Sequence, residues 1–387
     1  MISLARSDKS LVARWWWTVD RSMLAMVFVM CLTGLMLTLT ASPAVADRIG
    51  YADSMHFAKR QFFFMGLAMA TVLIVSMVPR KLIHRFALPG LLAALILLVL
   101  TLFVGTETKG AQRWLTIAGF GLQPSEFLKP LLAVSAAFLL SAKFEDESSP
   151  AFLATGFVFL LCAAPLLMQP DVGQTFLIAL MLLGQMTLAG LPVLWIMVSG
   201  AAGLGGLGIA YLTLPHVAGR IDRFLDPGSG DNYQVEKARE AFESGGLFGT
   251  GPGEGTVKVN LPDAHTDYIF SVIGEEFGAL ASVLLLLLFG GFVIRGLGFL
   301  TKERDPFVLL AVSGLLMQFG FQVLINIGVN LGLLPPKGMT LPFISYGGSS
   351  MVALALGMGV VLALTRCNRN ERSLGQGNSV RIRKRGL

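Results

Sequence analysis

Charge is scarce in this sequence. Asp, Glu, Lys and Arg make up 14% of its 387 residues, against about 25% in an ordinary soluble domain. Cysteine is scarce as well: Cys31, Cys162 and Cys367 lie far apart, with no CxxC pair. That excludes a disulfide framework and a cysteine-held metal. The four histidines, His56, His84, His216 and His265, form no HxxxH pair. Polar aromatics are few, with five Tyr and five Trp beside 27 Phe. What abounds is apolar: 54% of the residues are hydrophobic. A soluble fold of this length has too little interior to hide that surface, and a disordered chain would be far more polar. The composition leaves a polytopic, all-α membrane protein.

Apolar stretches of about 20 residues predict ten transmembrane helices, at about 22–42, 57–78, 84–104, 125–143, 150–168, 172–190, 193–213, 267–294, 306–330 and 347–365. Ala44-Val45-Ala46 after the first run has the wording of a signal-peptidase site, but the run Met23–Ala41 is longer than a signal core, so an uncleaved helix is expected. The domain plan is a 1–21 N-terminal segment, a 22–366 membrane domain and a 367–387 basic tail. A large loop, about 215–266, joins helices seven and eight.

Thirty Lys and Arg against 24 Asp and Glu give a net charge of +6. In a membrane protein this excess reports orientation. Arg6, Lys9, Arg14 and Arg21 precede the first span; Arg80, Lys81 and Arg85 fill a short loop; Arg295, Lys302 and Arg304 follow the eighth span. The tail adds Arg366, Arg369, Arg372, Arg381, Arg383, Lys384 and Arg385. With ten spans all four groups fall on one side, expected to be cytoplasmic, with both termini there. The acidic loop Glu145-Asp146-Glu147 departs mildly from this rule. The basic tail reads as an anchor for membrane lipids rather than a nucleic-acid site.

The polar residues then gather on the outer side. In 105–130, GTETKGAQRWLTIAGFGLQPSEFLKP, Lys109 and Arg113 sit in a loop with Trp114, Ser125 is placed to cap the fourth span, and Glu126 and Lys129 share a helix face. The segment reads either as a capped helix with an ion pair or as a cationic phosphate pocket. In Gln169-Pro170-Asp171-Val172-Gly173-Gln174, Asp171 sits at the bilayer edge, as an N-cap or as a cavity acid. The large loop carries Arg220 and Arg223, a short helix near Tyr233–Glu243, and a glycine-rich run 245–255. With no strand before it, that run predicts a mobile loop rather than a nucleotide cradle. The loop ends in Leu261-Pro262-Asp263-Ala264-His265-Thr266-Asp267, and Glu275 and Glu276 follow inside the eighth span. Adjacent helical residues differ by about 100°, so at least one of the two glutamates must face a polar interior.

Five ordered blocks carry a family resemblance: KGAQRWL…QPSEFLKP, QPDVGQ, RIDRFLDP, LPDAHTDYIFSVIGEEFG and LLPPKGMTLPFISYGGSS. Together, from the first span to the tenth, the chain resembles the SEDS family (shape, elongation, division and sporulation). The wording MTLPFISYGGSS is nearer the division members than the elongation members. Asp263 stands where the family more often has Glu. The resemblance implies an inner-membrane glycosyltransferase that polymerises lipid II into glycan strands at the division septum. It implies a class B penicillin-binding transpeptidase of the FtsI type as partner, among other divisome membrane proteins. The family's catalytic aspartate falls on Asp267, with His265 beside it as a substrate contact.

For that chemistry a base must stand near a sugar hydroxyl and cations near a departing pyrophosphate. Asp267 is assigned as base. Lys109, Arg113, Arg220 and Arg223 are candidate pyrophosphate contacts, with Lys129, Glu126 and Asp171 shaping the site. A divalent cation, Mg or Mn, suits pyrophosphate chemistry, but no ligand spacing marks its site. Two other classes fit the residues: a lipid II flippase, which would use acidic residues within the spans, and a non-catalytic scaffold.

Overall fold

A computed structural model describes residues 10–108, 111–117, 119–225 and 233–366. In chain order the helices are α1 (Leu11–Thr18), α2 (Arg21–Ile49), α3 (His56–Ser76), α4 (Arg80–Val104), α5 (Pro124–Ser141), α6 (Ala151–Met168), α7 (Val172–Leu188), α8 (Val193–Thr213), α9 (Pro215–Leu225), α10 (Tyr233–Gly245), α11 (Val257–Asn260), α12 (Ile269–Leu300), α13 (Pro306–Asn330) and α14 (Gly348–Leu364). Each expected span is present. Eight helices are long and apolar enough to cross a membrane, and α7 and α14 are shorter apolar helices.

Local chemistry sets the ends of these helices. Asp20 caps α2 by accepting from the Met23 N–H at 3.1 Å, and Gly50 closes it in the left-handed region, φ 82°. Asp305 caps α13 before Pro306. The cap of α5 is not Ser125. Pro124 takes the first helical position, its fixed φ suiting that place, which makes Gln123 the cap and carries Ser125 into the helix.

The bundle is built around α13 and α5, which pack on each other. α14 packs on α3 and α5, α4 on α5, and α7 on α13. Buried amides tie the helices where apolar contact gives little direction. Gln185 on α7 donates to the Ala133 carbonyl of α5 and the Leu310 carbonyl of α13, both at 2.9 Å. The apolar faces that remain exposed, such as Phe28, Leu92, Leu153 and Leu284, form the lipid-facing surface.

The basic segments meet at one end. Arg295 pairs with Asp20 at 2.9 Å, Arg80 with Glu303 at 3.7 Å, and Arg366 donates to the Met77 carbonyl at 3.1 Å. The opposite end carries the long loop. There the 105–122 connection, read from sequence as plain loop, holds three short antiparallel strands, β1 (Thr106–Thr108), β2 (Ala111–Ile117) and β3 (Phe120–Leu122), in the order β1-β2-β3. Gly119, φ 80°, makes the second turn.

The glycine-rich run is docked rather than mobile. The Thr250 N–H donates to the Glu275 carbonyl at 2.9 Å and Gly251 N–H to Glu276 at 3.0 Å. In return Ala279 N–H donates to Gly246 at 2.9 Å and Leu280 to Leu247 at 3.2 Å. These bonds take up backbone groups freed by a break in α12 at Gly278, φ 78° and ψ −178°. The fit needs glycine: a Cβ at Gly245 would stand 1.9 Å from the Gly274 carbonyl oxygen, and one at Gly249 2.2 Å from that of Glu276.

Candidate active site at the loop-bearing end

Asp267 lies in the turn Leu261–Tyr268, just before α12, and is half-buried. Three successive carbonyls of the turn are held from outside it. The Tyr346 N–H donates to the His265 carbonyl at 2.8 Å. Ser345 Oγ donates to the Thr266 carbonyl at 2.5 Å. The Asp267 carbonyl accepts from Asn326 Nδ2 and Asn330 Nδ2 of α13, each at 2.9 Å. These bonds fix the main chain from which the carboxylate projects. It lies over the connector between α13 and α14, where a Cβ on Gly338 would stand 3.2 Å from Asp267 Oδ2.

The neighbour of Gly338 completes the geometry. The Lys337 stem lies over Gly173, its Cδ 3.3 Å from where a Cβ would be, and its ammonium stands 4.9 Å from the centre of the Phe176 ring. Gly173 borders the Asp171 carboxylate. Asp171, only 8% exposed, caps α7 by accepting from Gln174 N–H at 3.3 Å. Burial pushes its carboxyl above the usual carboxylate range, and the Arg113 charge opposes that. Arg113 reaches from β2, donating to the Gln169 carbonyl at 3.0 Å and Pro170 at 2.8 Å, with Nη1 3.9 Å from Asp171 Oδ2. Asp267, Lys337, Asp171 and Arg113 therefore form one polar row across the loop-bearing ends of α12 and α7. Lys337 was no site candidate from sequence. Its only signal there is a lone cation in a Pro-Gly connector at the end where Asp267 lies.

Glu126 and Lys129 lie deeper. Lys129 Nζ donates to Glu126 Oε2 at 2.9 Å and Gln322 Oε1 at 3.1 Å, while Gln174 Nε2 donates to Glu126 Oε1 at 2.8 Å. This buried network joins α5, α7 and α13 beneath Asp171 and uses both charges internally. His265 is buried and packs on Phe57 and Tyr346, ring centres 4.6 and 5.4 Å away. Arg220 and Arg223 lie on α9, beyond the end of α8. Lys109 and Cys367 lie outside the described residues. Among the described residues no three His, Cys, Asp or Glu are grouped to hold a metal ion.

Glu275 and Glu276 are engaged within the fold. Glu275 accepts from the backbone N–H of Val257 at 2.6 Å and of Lys258 at 2.9 Å. Glu276 pairs with Lys258, whose ammonium also donates to the Thr40 carbonyl at 3.2 Å. The two acids clamp α11 to α12 and α2.

Fold and site define a polytopic helical membrane protein with an acid–base row at one mouth of its bundle. Residues 20–370 match the FtsW/RodA/SpoVE family of cell cycle proteins, and the chain belongs to that family. It is 44% identical over 364 residues to the probable peptidoglycan glycosyltransferase FtsW of Caulobacter vibrioides, covering 94% of this chain and 93% of that protein. The protein of the same description from Escherichia coli O157:H7 is 32% identical, over 92% and 87% of the two chains. A chain from a structure described as a peptidoglycan synthase complex superposes with a TM-score of 0.75 at 27% identity, covering 90% of this chain and 98% of that one. The rod shape determining protein RodA of Thermus thermophilus gives 0.68 at 27% identity, over 90% and 97%.

Proposed function

We propose that this chain is a peptidoglycan glycosyltransferase that polymerises lipid II, with Asp267 as general base. The observation that carries this reading is the polar row: the Asp267 carboxylate lies beside Gly338, the adjoining Lys337 reaches over Gly173, and Gly173 borders Asp171, which faces Arg113. Asp267 takes the proton of an acceptor sugar hydroxyl. That oxygen bonds to the anomeric carbon of the donor as the bond to pyrophosphate breaks, and polyprenyl pyrophosphate leaves. Lys337 and Arg113 take up the charge on the leaving group. A single displacement inverts the anomeric centre without a covalent intermediate. The donor is already a lipid, so no nucleotide site is needed.

The positive-inside rule places the basic end, with both termini, in the cytoplasm and the polar row outside the inner membrane. There lipid II and a class B transpeptidase of the FtsI type meet it, at the septum. Transport by the span acids has less support, because Glu275 and Glu276 are held by Val257, Lys258 and the bundle itself. The test is polymerisation in detergent, where no bilayer exists to be crossed. Purified chain with its partner and lipid II is expected to make glycan strands. Absence of polymer, with lipid II crossing liposome membranes that contain the chain, would replace this reading with transport.

A further inference from the structure

Beside the Asp267 turn stands a row of rings that the chemistry above does not use. Tyr51 and His56 stack, centres 4.3 Å apart and planes 17° from parallel. Phe57 meets Tyr51 edge-on at 5.7 Å and His56 at 5.3 Å. Phe57 then packs on His265 at 4.6 Å and on Tyr346 at 5.3 Å. The row leads from the HTD turn outward to the connection between α2 and α3, where Tyr51 is 43% exposed.

The outer end of the row is held in place. Tyr51 N–H donates to the Ala46 carbonyl at 2.9 Å, and Ser42 Oγ to Ser54 at 2.7 Å. Asp53 and Lys59, paired at 2.8 Å and exposed, put hydrogen-bonding groups beside the rings. The row lies on the α2–α3 side of Asp267, whereas Arg113 and Lys337 lie on the α7 side.

A pyranose ring has one face of C–H groups and a rim of hydroxyls. The C–H face packs on the electron-rich face of an aromatic ring, and the rim bonds to polar neighbours. An exposed, pre-set aromatic ledge flanked by Asp53 and Lys59 matches both. A membrane-belt tyrosine would need no stacked partner and no continuity with the site turn. We infer that Tyr51 and His56, backed by Phe57, form a docking ledge for the glycan strand as it runs outward from Asp267. The inference rests on the glycosyltransferase reading. Its role is retention: a strand held on the ledge stays for the next coupling.

The experiment compares strand lengths made from lipid II by the full chain with its partner, scaled to the lipid II consumed. Tyr51→Leu keeps apolar bulk and removes the flat face; Tyr51→Trp keeps a flat face without the hydroxyl. Stacking of this kind changes dissociation by about 3- to 10-fold, so Tyr51→Leu is expected to shorten strands by that factor and Tyr51→Trp to restore them. Strands of wild-type length from Tyr51→Leu overturn the ledge. So does equal shortening in both variants, which would assign the effect to the hydroxyl or to the fold. A wild-type chain that makes no strands at all defeats the glycosyltransferase reading instead.

Discussion

At the scale of single residues, Asp267 depends on neighbours that never touch its carboxylate. Asn326 and Asn330 are one helical turn apart on α13 and share its carbonyl oxygen. They fix where the acid stands, and orientation of this kind supports catalysis as strongly as the base itself. Lys337 is the residue whose role is most exposed to test. A charge-assisted bond to a phosphate contributes about 1.5–3 kcal/mol, so Lys337→Met is expected to lower kcat/KM for lipid II by about 10- to 100-fold. Lys337→Arg is expected to recover part of it. Initial rates across lipid II concentrations give the answer, and unchanged kinetics in Lys337→Met would remove it from the site. Sequence reading offered Asp171 and Arg113 as candidates because acids and cations beside apolar runs are conspicuous, and it took Asp267 as the base from the family resemblance. It missed Lys337 because a single Lys in a Pro-Gly segment carries no periodicity. It placed Ser125 as a cap because it weighed serine's capping tendency ahead of the preference of Pro124 for the first helical position.

At the scale of elements, the glycine-rich run 245–255 is more ordered than its composition suggests. Glycine permits mobility, and it equally permits backbone to approach backbone. Which of these holds is decided by the partner, here the broken turn of α12 at Gly278, and nothing in the run 245–255 names that partner. The helix Tyr233–Glu243 was legible, since its charges and apolar residues recur at helical spacing. The strands of 105–122 were not, because seven residues or fewer leave little alternation to read. The clamp of Lys258 with Glu276 holds the loop against the bundle. Removing one partner of a buried ion pair costs about 3–5 kcal/mol, so Lys258→Met is expected to lower the thermal unfolding midpoint in detergent. The double change Lys258→Met with Glu276→Gln is expected to recover part of the loss. Equal midpoints for wild type and Lys258→Met would show that the clamp contributes nothing.

At the scale of the whole molecule, apolar runs determined the number and order of spans, but not which helix stands at the centre. That position belongs to α13 and α5, whose surroundings come from packing rather than from hydrophobicity. The orientation has a direct test. Native Cys31 and Cys162 are buried, so a Cys367→Ser background leaves new surface thiols as the reporters. Glu254→Cys is expected to react with a membrane-impermeant maleimide in intact spheroplasts. Asp146→Cys is expected to react only after permeabilisation. The reverse pattern would put the polar row in the cytoplasm, away from any growing wall.

The central claim is that the Asp267 carboxylate removes the acceptor proton. Its most direct test is the turnover of lipid II by purified Asp267→Asn, with folding and partner binding verified. A general base contributes about 10²- to 10⁴-fold, and the account predicts a loss of that size with donor binding retained. Strand synthesis by Asp267→Asn at the wild-type rate would contradict it.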